Sequence, residues 1–154
     1  MAKPSLQLLD IQTAADGCSL SAVLLVSPSG LRVSAKLARA LLAERPTLAE
    51  HACHACGVRP FCEVIVGTTL SHLAEHLAID LLVAHYPGQR FSGTTTWEDD
   101  EAGTMRVRVR ALDGAPSARE VSGGGLQGTT NLELKASLEE AVYRALVLIN
   151  NTLC

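Results

Sequence analysis

The stretch GTTLSHLAEHLAID, residues 67–80, sets His72, Glu75 and His76 at relative positions 0, 3 and 4 in an otherwise apolar run. Residues three and four apart on a helix share a face, so the three side chains project together with the imidazoles one turn apart. Two neutral imidazoles at that spacing can grip one divalent metal and suit Zn²⁺. A carboxylate beside the metal can take a proton from a metal-activated water, whose pKa falls from 15.7 to roughly 7. This H-x-x-E-H pattern makes His72 and His76 ligands and Glu75 a general base for hydrolysis. The plainer alternative is a helix whose apolar stripe, Leu73, Leu77 and Leu81, is merely flanked by two histidines.

A catalytic zinc needs a third protein ligand, which the motif does not name. Asp80 is one turn beyond His76 but about 12 Å along the axis from His72, at 1.5 Å per residue, so it fits a contact to His76 better than joint ligation. His51, Cys53, Glu133 and Glu140 are the candidates for direct ligation. The run HACHACGVRPFC, residues 51–62, also gives Cys53 and Cys56 a C-x-x-C spacing, with His51, His54 and Cys62 nearby. That set could form a separate structural zinc site or a redox pair, but no second C-x-x-C follows and no βαβ pattern supports a redox fold. Small buried thiols are the simpler expectation.

MRVRVR, residues 105–110, alternates so that Arg106, Arg108 and Arg110 share one strand face and Val107 and Val109 the other. Three guanidinium forks in a row can hold carboxylates of a substrate. A solvated strand face over a core would read the same.

These residues need elements to hold them. Residues 5–11 and 19–27 are apolar runs ended by Asp16, Gly17, Pro28 and Gly30, as two strands joined by a turn require. Ser34 precedes an amphipathic helix over residues 35–45, stopped by Pro46. Residues 69–86, with Leu70, Leu73, Leu77, Leu81 and Leu82 at helical spacing, form the helix that carries the histidines and end at Pro87 and Gly88. Residues 91–97 and 105–112 make a second hairpin around EDDEAG. The Gly-, Ser- and Pro-rich stretch 113–130 is expected as a flexible loop. A last helix starts near Thr130, where Thr130 to Glu133 and Ser137 to Glu140 both fit a capping box. The order predicts an α+β fold: one domain over residues 1–154, a mostly antiparallel sheet with about three helices packed on one face.

Bulk properties narrow the partners. The chain has 154 residues, 47% hydrophobic and 19% charged, and a net charge of -3; mean hydropathy is +0.21 and the pI about 5.9. No basic field points to nucleic acid or an anionic membrane surface. No run reaches the roughly 18 apolar residues of a membrane span, and the start lacks a secretory pattern, so a cytoplasmic location is expected. The five cysteines are an odd set without a disulfide framework. A peptide or polypeptide substrate is expected, with no nucleic acid and no membrane; homo-oligomerisation is left open. No Gly-rich nucleotide loop is present.

Residues 48–82 resemble the N-terminal domain of cyanophycin synthetases. The resemblance rests on LAEHAC at 48–53, on Gly57, Pro60 and Phe61, and on GTTLSHLAEHLAIDL at 67–81. FSGTTT at 91–96 is similar to that family's F-G-R-T-R stretch, and GTMRVRV to its following strand. The resemblance implies a domain that, in the family, precedes an ATP-grasp ligase module and a Mur-ligase-like module polymerising aspartate and arginine. It implies a charged surface that holds the polymer and, in some members, a metallopeptidase-like H-x-x-E-H site that cuts it. On that basis His72 and His76 are metal ligands and Glu75 the base, and His51, which matches the upstream E-H-x-C element together with Cys53, heads the third-ligand list. Asp80 replaces the family's Glu, Leu82 its Gln, and Ser92, Gly93, Thr95 and Thr96 stand where arginines are expected. Without ligase modules in these residues, polymer synthesis is not expected. The functional expectation is a zinc-dependent amide or peptide hydrolase, with Asp/Arg-containing or isopeptide substrates as the class the resemblance implies, and a non-catalytic polymer- or protein-binding module as the alternative.

Overall fold

Asp16 and Gly17 close the first hairpin: the Cys18 N–H donates to Asp16 Oδ1 at 2.9 Å, and Gly17 takes φ +70°, a left-handed angle that a residue without Cβ adopts at no steric cost. In the computed structural model, which describes residues 3–55, 57–113 and 131–153, this turn joins β1 (Ser5–Thr13) to β2 (Ser19–Ser27). The second hairpin joins β5 (Phe91–Asp99) to β6 (Thr104–Ala111). The four strands form one antiparallel sheet in the order β1-β2-β6-β5.

The strand alternation sorts the sheet's faces. Leu20, Ala22, Leu24 and Val26 of β2 and Met105, Val107, Val109 and Ala111 of β6 are buried, while Arg108 and Arg110 are exposed. Helices α3 (Leu70–His85) and α4 (Asn131–Thr152) cover the apolar face, and α1 (Ala35–Glu44) packs on α4. The fold is α+β, as the order of patterns predicts.

Ser34 caps α1 by accepting the Leu37 N–H at 3.1 Å, and Thr69 caps α3 by accepting the His72 N–H at 3.1 Å; each satisfies a donor the helix itself leaves free. α3 lies at the centre of the molecule. Leu70, Leu73 and Leu77 are wholly buried, and each such side chain contributes roughly 1.5–3 kcal/mol. A helix apolar nearly all round must be covered all round: the sheet, α4 and the connector between α1 and α3 do this.

That connector holds more structure than its sequence announces. It contains a 3₁₀ helix at Pro46–Glu50, the two-residue strands β3 (Ala52–Cys53) and β4 (Arg59–Pro60), and the single-turn α2 (Phe61–Val64). Elements this short carry too few residues for a period to register. The expected loop, Asp113 apart, lies outside the described residues, as do Thr130 of the first capping box and Cys56 of the C-x-x-C. The second capping box, Ser137 to Glu140, falls inside α4, where Ser137 Oγ instead meets Tyr86 Oη at 2.7 Å. Among the described residues no helix is long and apolar enough to cross a membrane.

Candidate metal centre

His72 stands one turn into α3, held from both sides. Its Nδ1 meets Thr68 Oγ1 at 2.7 Å, and its Nε2 lies 3.2 Å from His76 Nε2 and 3.6 Å from Cys53 Sγ. The three donor atoms all lie within 4.8 Å of one another. At a tetrahedral centre with metal–nitrogen bonds of about 2.0–2.1 Å and a metal–sulfur bond of about 2.3 Å, ligand nitrogens are separated by about 3.3–3.4 Å and nitrogen from sulfur by about 3.6 Å. The two observed separations fit that geometry, so the group could hold a metal ion.

The surroundings hold the rings in this pose. With Nδ1 engaged by Thr68, the His72 ring presents Nε2 to the cluster, as an oriented metal ligand does. Phe61 of α2 stacks on His76, with centroids 3.9 Å apart and planes 13° from parallel, and meets His72 edge-on at 5.7 Å. His76 Nδ1 is buried and has no hydrogen-bond partner among the described residues; the stack fixes that ring's plane instead. Burial lowers the His72 pKa. Burial first, then the neighbouring His72, His51 and His54, pushes His76 down to about 3. Both rings are therefore neutral at pH 7, the state that offers lone pairs to a cation.

Glu75 points from the same helix toward β5. It is buried, and Thr95 Oγ1 donates a short hydrogen bond to its Oε2. Gly93 supplies the room: a Cβ there would lie 2.5 Å from Glu75 Cγ and 2.6 Å from Oε1. Burial raises the Glu75 pKa, and the Thr95 hydrogen bond pulls it partly back. A carboxylate raised toward neutrality is a better proton acceptor for work near pH 7 than an exposed one. His72, Glu75 and His76 line one cavity of about 840 Å³, with His51 and His54 on one side and residues 91–96 of β5 on the other. Cys53 approaches His72 from behind, lining a smaller cavity of about 340 Å³.

The other predicted residues fall as follows. The segment 51–53 alternates like a strand, Ala52 outward and His51 and Cys53 toward α3. Cys53 thus reaches His72, whereas His51 Nε2 lies 3.1 Å from Asp80 Oδ1. The grouped third donor is Cys53, and His51 belongs to a neighbouring network. Asp80, expected to support His76, accepts from Arg45 Nε and Thr47 Oγ1, both at 2.7 Å, as well as facing His51. Burial pushes its carboxyl up, but the hydrogen bonds from His51, Thr47 and Arg45 and the Arg45 charge outweigh this and hold it below the usual range. Glu133 and Glu140 are exposed on α4 and not among the grouped donors.

The arginine row exists but is not brought to the cavity. Arg106 is paired with Glu98 and donates to Ser21 Oγ at 2.8 Å, and Arg108 and Arg110 are exposed on the sheet's far face. Thr68, Phe61, Gly93 and Thr95 take no site role from the sequence, although all four lie in the segments compared with the family. Thr68 alone carried a usable signal, four residues before His72 and next to the capping Thr69. No protein-family model matches the chain, and no curated protein sequence matches it.

Proposed function

We propose that this chain is a metal-dependent amide or peptide hydrolase related to the N-terminal domain of cyanophycin synthetases, with Zn²⁺ held by Cys53, His72 and His76. One observation carries the reading: His72 lies at tetrahedral separations from both His76 and Cys53, the three donors fall within 4.8 Å of one another, and the two histidines share a helix and a cavity with a buried carboxylate of raised pKa. One thiolate and two imidazoles suit zinc, and three protein ligands leave a fourth position for chemistry. A zinc ion there would acidify a water and polarise the substrate carbonyl.

Glu75 takes the proton from the attacking water as its oxygen adds to the carbonyl carbon. It then returns that proton to the amide nitrogen as the C–N bond breaks, leaving a carboxylic acid and an amine. Thr95 holds the carboxylate in place between the two transfers, and Gly93 leaves room for it. Asp/Arg-containing or isopeptide substrates follow from the family resemblance, and a cytoplasmic setting from the composition.

The test is turnover of a fluorogenic peptide pool by zinc-loaded wild type and Glu75→Gln. Loss of turnover with zinc retained is the expected result; equal turnover in both would contradict Glu75 as the base. A second reading, a non-catalytic docking module, is favoured by the exposed Arg108 and Arg110 on the open sheet face. It predicts that Glu75→Gln changes nothing while Arg108→Ala/Arg110→Ala weakens binding to an acidic peptide.

A further inference from the structure

Residues 91–96 of β5 all line the large cavity, six in succession. Side chains of a strand alternate between faces, so a cavity against one face touches every second residue. A cavity that touches all of them reaches the strand's backbone edge, and Met105 and Leu112 in its lining show that it also lies over the adjoining part of the sheet. β5 ends the sheet order, and among the described residues no strand pairs with its other side.

The hydrogen-bond pattern identifies which backbone groups face that side. The Leu112 N–H donates to the Arg90 carbonyl at 3.0 Å, which makes Arg90 and Leu112 a hydrogen-bonded antiparallel pair. Continuing the register, Ser92–Arg110, Thr94–Arg108 and Thr96–Arg106 are hydrogen-bonded pairs too. The intervening Phe91, Gly93 and Thr95 therefore turn their N–H and C=O groups away from β6. β6 agrees, since the Ala111 N–H donates to Cys18 on the β2 side at 2.9 Å. Gly93 and Thr95, the two free-edge residues nearest the centre of this run, are those that flank Glu75.

We propose that this edge binds the backbone of an extended peptide, which joins the sheet as a fifth strand against Phe91, Gly93 and Thr95 and so passes beside Glu75. The occupant follows from the edge itself. It offers alternating amide donors and carbonyl acceptors, which only another extended backbone matches. Ser92, Gly93 and Thr94 are small enough to admit a strand at about 4.8 Å. Residues 91–96 hold no Lys or Pro, the residues that usually blunt an open edge. At about 3.3 Å per residue the three free positions match a peptide of about five residues. The inference rests on the hydrolase reading only for what happens to the peptide once bound.

The experiment is amide hydrogen exchange by NMR on zinc-loaded Glu75→Gln, repeated on zinc-free wild type in case the variant does not fold. The probe is a pool of end-blocked random hexapeptides, compared with the same pool N-methylated at alternate residues. The Phe91, Gly93 and Thr95 amides should exchange fast in the free protein and slow about tenfold at nine-tenths occupancy by the unmethylated pool. The Ser92, Thr94 and Thr96 amides, already bonded to β6, should stay slow throughout. Slow exchange at Phe91, Gly93 and Thr95 without peptide would mean that the chain covers its own edge, and overturns the inference, as does equal slowing by both pools. Slowing without wild-type turnover keeps the strand-pairing edge and removes the hydrolase; turnover without slowing does the reverse.

Discussion

Thr95 Oγ1 on β5 donates to Glu75 Oε2 on α3, tying the proposed base to the strand across the cavity from the histidines. Because this bond favours the ionised carboxylate, it lowers a pKa that burial raises. A base works only when deprotonated, so hydrolysis rises with pH through the Glu75 pKa. Thr95→Val removes the bond and should move the acidic limb of the kcat/KM profile to higher pH, with kcat on the plateau reduced as the carboxylate loses its orientation. An unmoved limb would show that Glu75 does not govern it.

Gly93→Ala places a methyl group where Glu75 lies, 2.5 Å from Cγ. Overpacking of this kind typically costs about 1–3 kcal/mol. Chemical denaturation should register that loss, and turnover should fall because the carboxylate is displaced, while zinc content stays at the wild-type level.

Thr68→Val removes the partner that orients the His72 ring. Losing such an outer contact typically weakens metal affinity about 10- to 100-fold. Competition with a zinc chelator measures it; unchanged affinity would show that packing against Phe61 suffices to orient the ring.

The zinc-free protein should lose stability as pH falls below 6.5. His72 and His76 have folded pKa values below the unfolded 6.5, His76 at about 3. The unfolded chain thus takes up protons in this window that the folded chain refuses, at up to about 1.4 kcal/mol per pH unit for each fully responding group. Urea midpoints at pH 7 and pH 5 should show the drop, and His76→Gln should shrink it.

Asp80 acts in a lower window. Its depressed carboxyl stabilises the fold above the unfolded 3.8 and loses that contribution as pH falls through the folded pKa. Asp80→Ala strands Arg45 and His51; because Arg45 is a quarter exposed and can regain water, the loss should fall below the roughly 3–5 kcal/mol of a fully buried pair, at about 1–3 kcal/mol. Thermal unfolding at pH 7 measures it, with zinc content as the check that the cluster survives.

The long elements were legible because their periods are. The 3.6-residue recurrence of Leu70, Leu73 and Leu77 and the two-residue alternation of Val107 and Val109 mark α3 and β6 within a residue or two of their ends. His72, Glu75 and His76 were legible as a group because helix spacing alone puts them on neighbouring faces. The third donor was not: whether residue 51 or residue 53 reaches α3 opposite His72 depends on how a two-residue strand lies against the helix, and so short an element leaves no period to read. Asp80 was misplaced for the same reason, since its partners Arg45, Thr47 and His51 come from that connector. The support of Glu75 by Gly93 and Thr95 is a contact between elements distant in sequence, and the spacing within FSGTTT gives no hint of it.

The most direct test is zinc stoichiometry, by elemental analysis of wild type, His76→Ala and Cys53→Ala purified without added metal. One zinc per chain in the wild type, and a large loss in both variants with the fold retained by circular dichroism, is the predicted result. Near-zero zinc in all three, persisting when they are then incubated with the metal, would contradict the centre; in a fourth variant, His51→Ala, loss of the zinc that Cys53→Ala keeps would give the third position to His51.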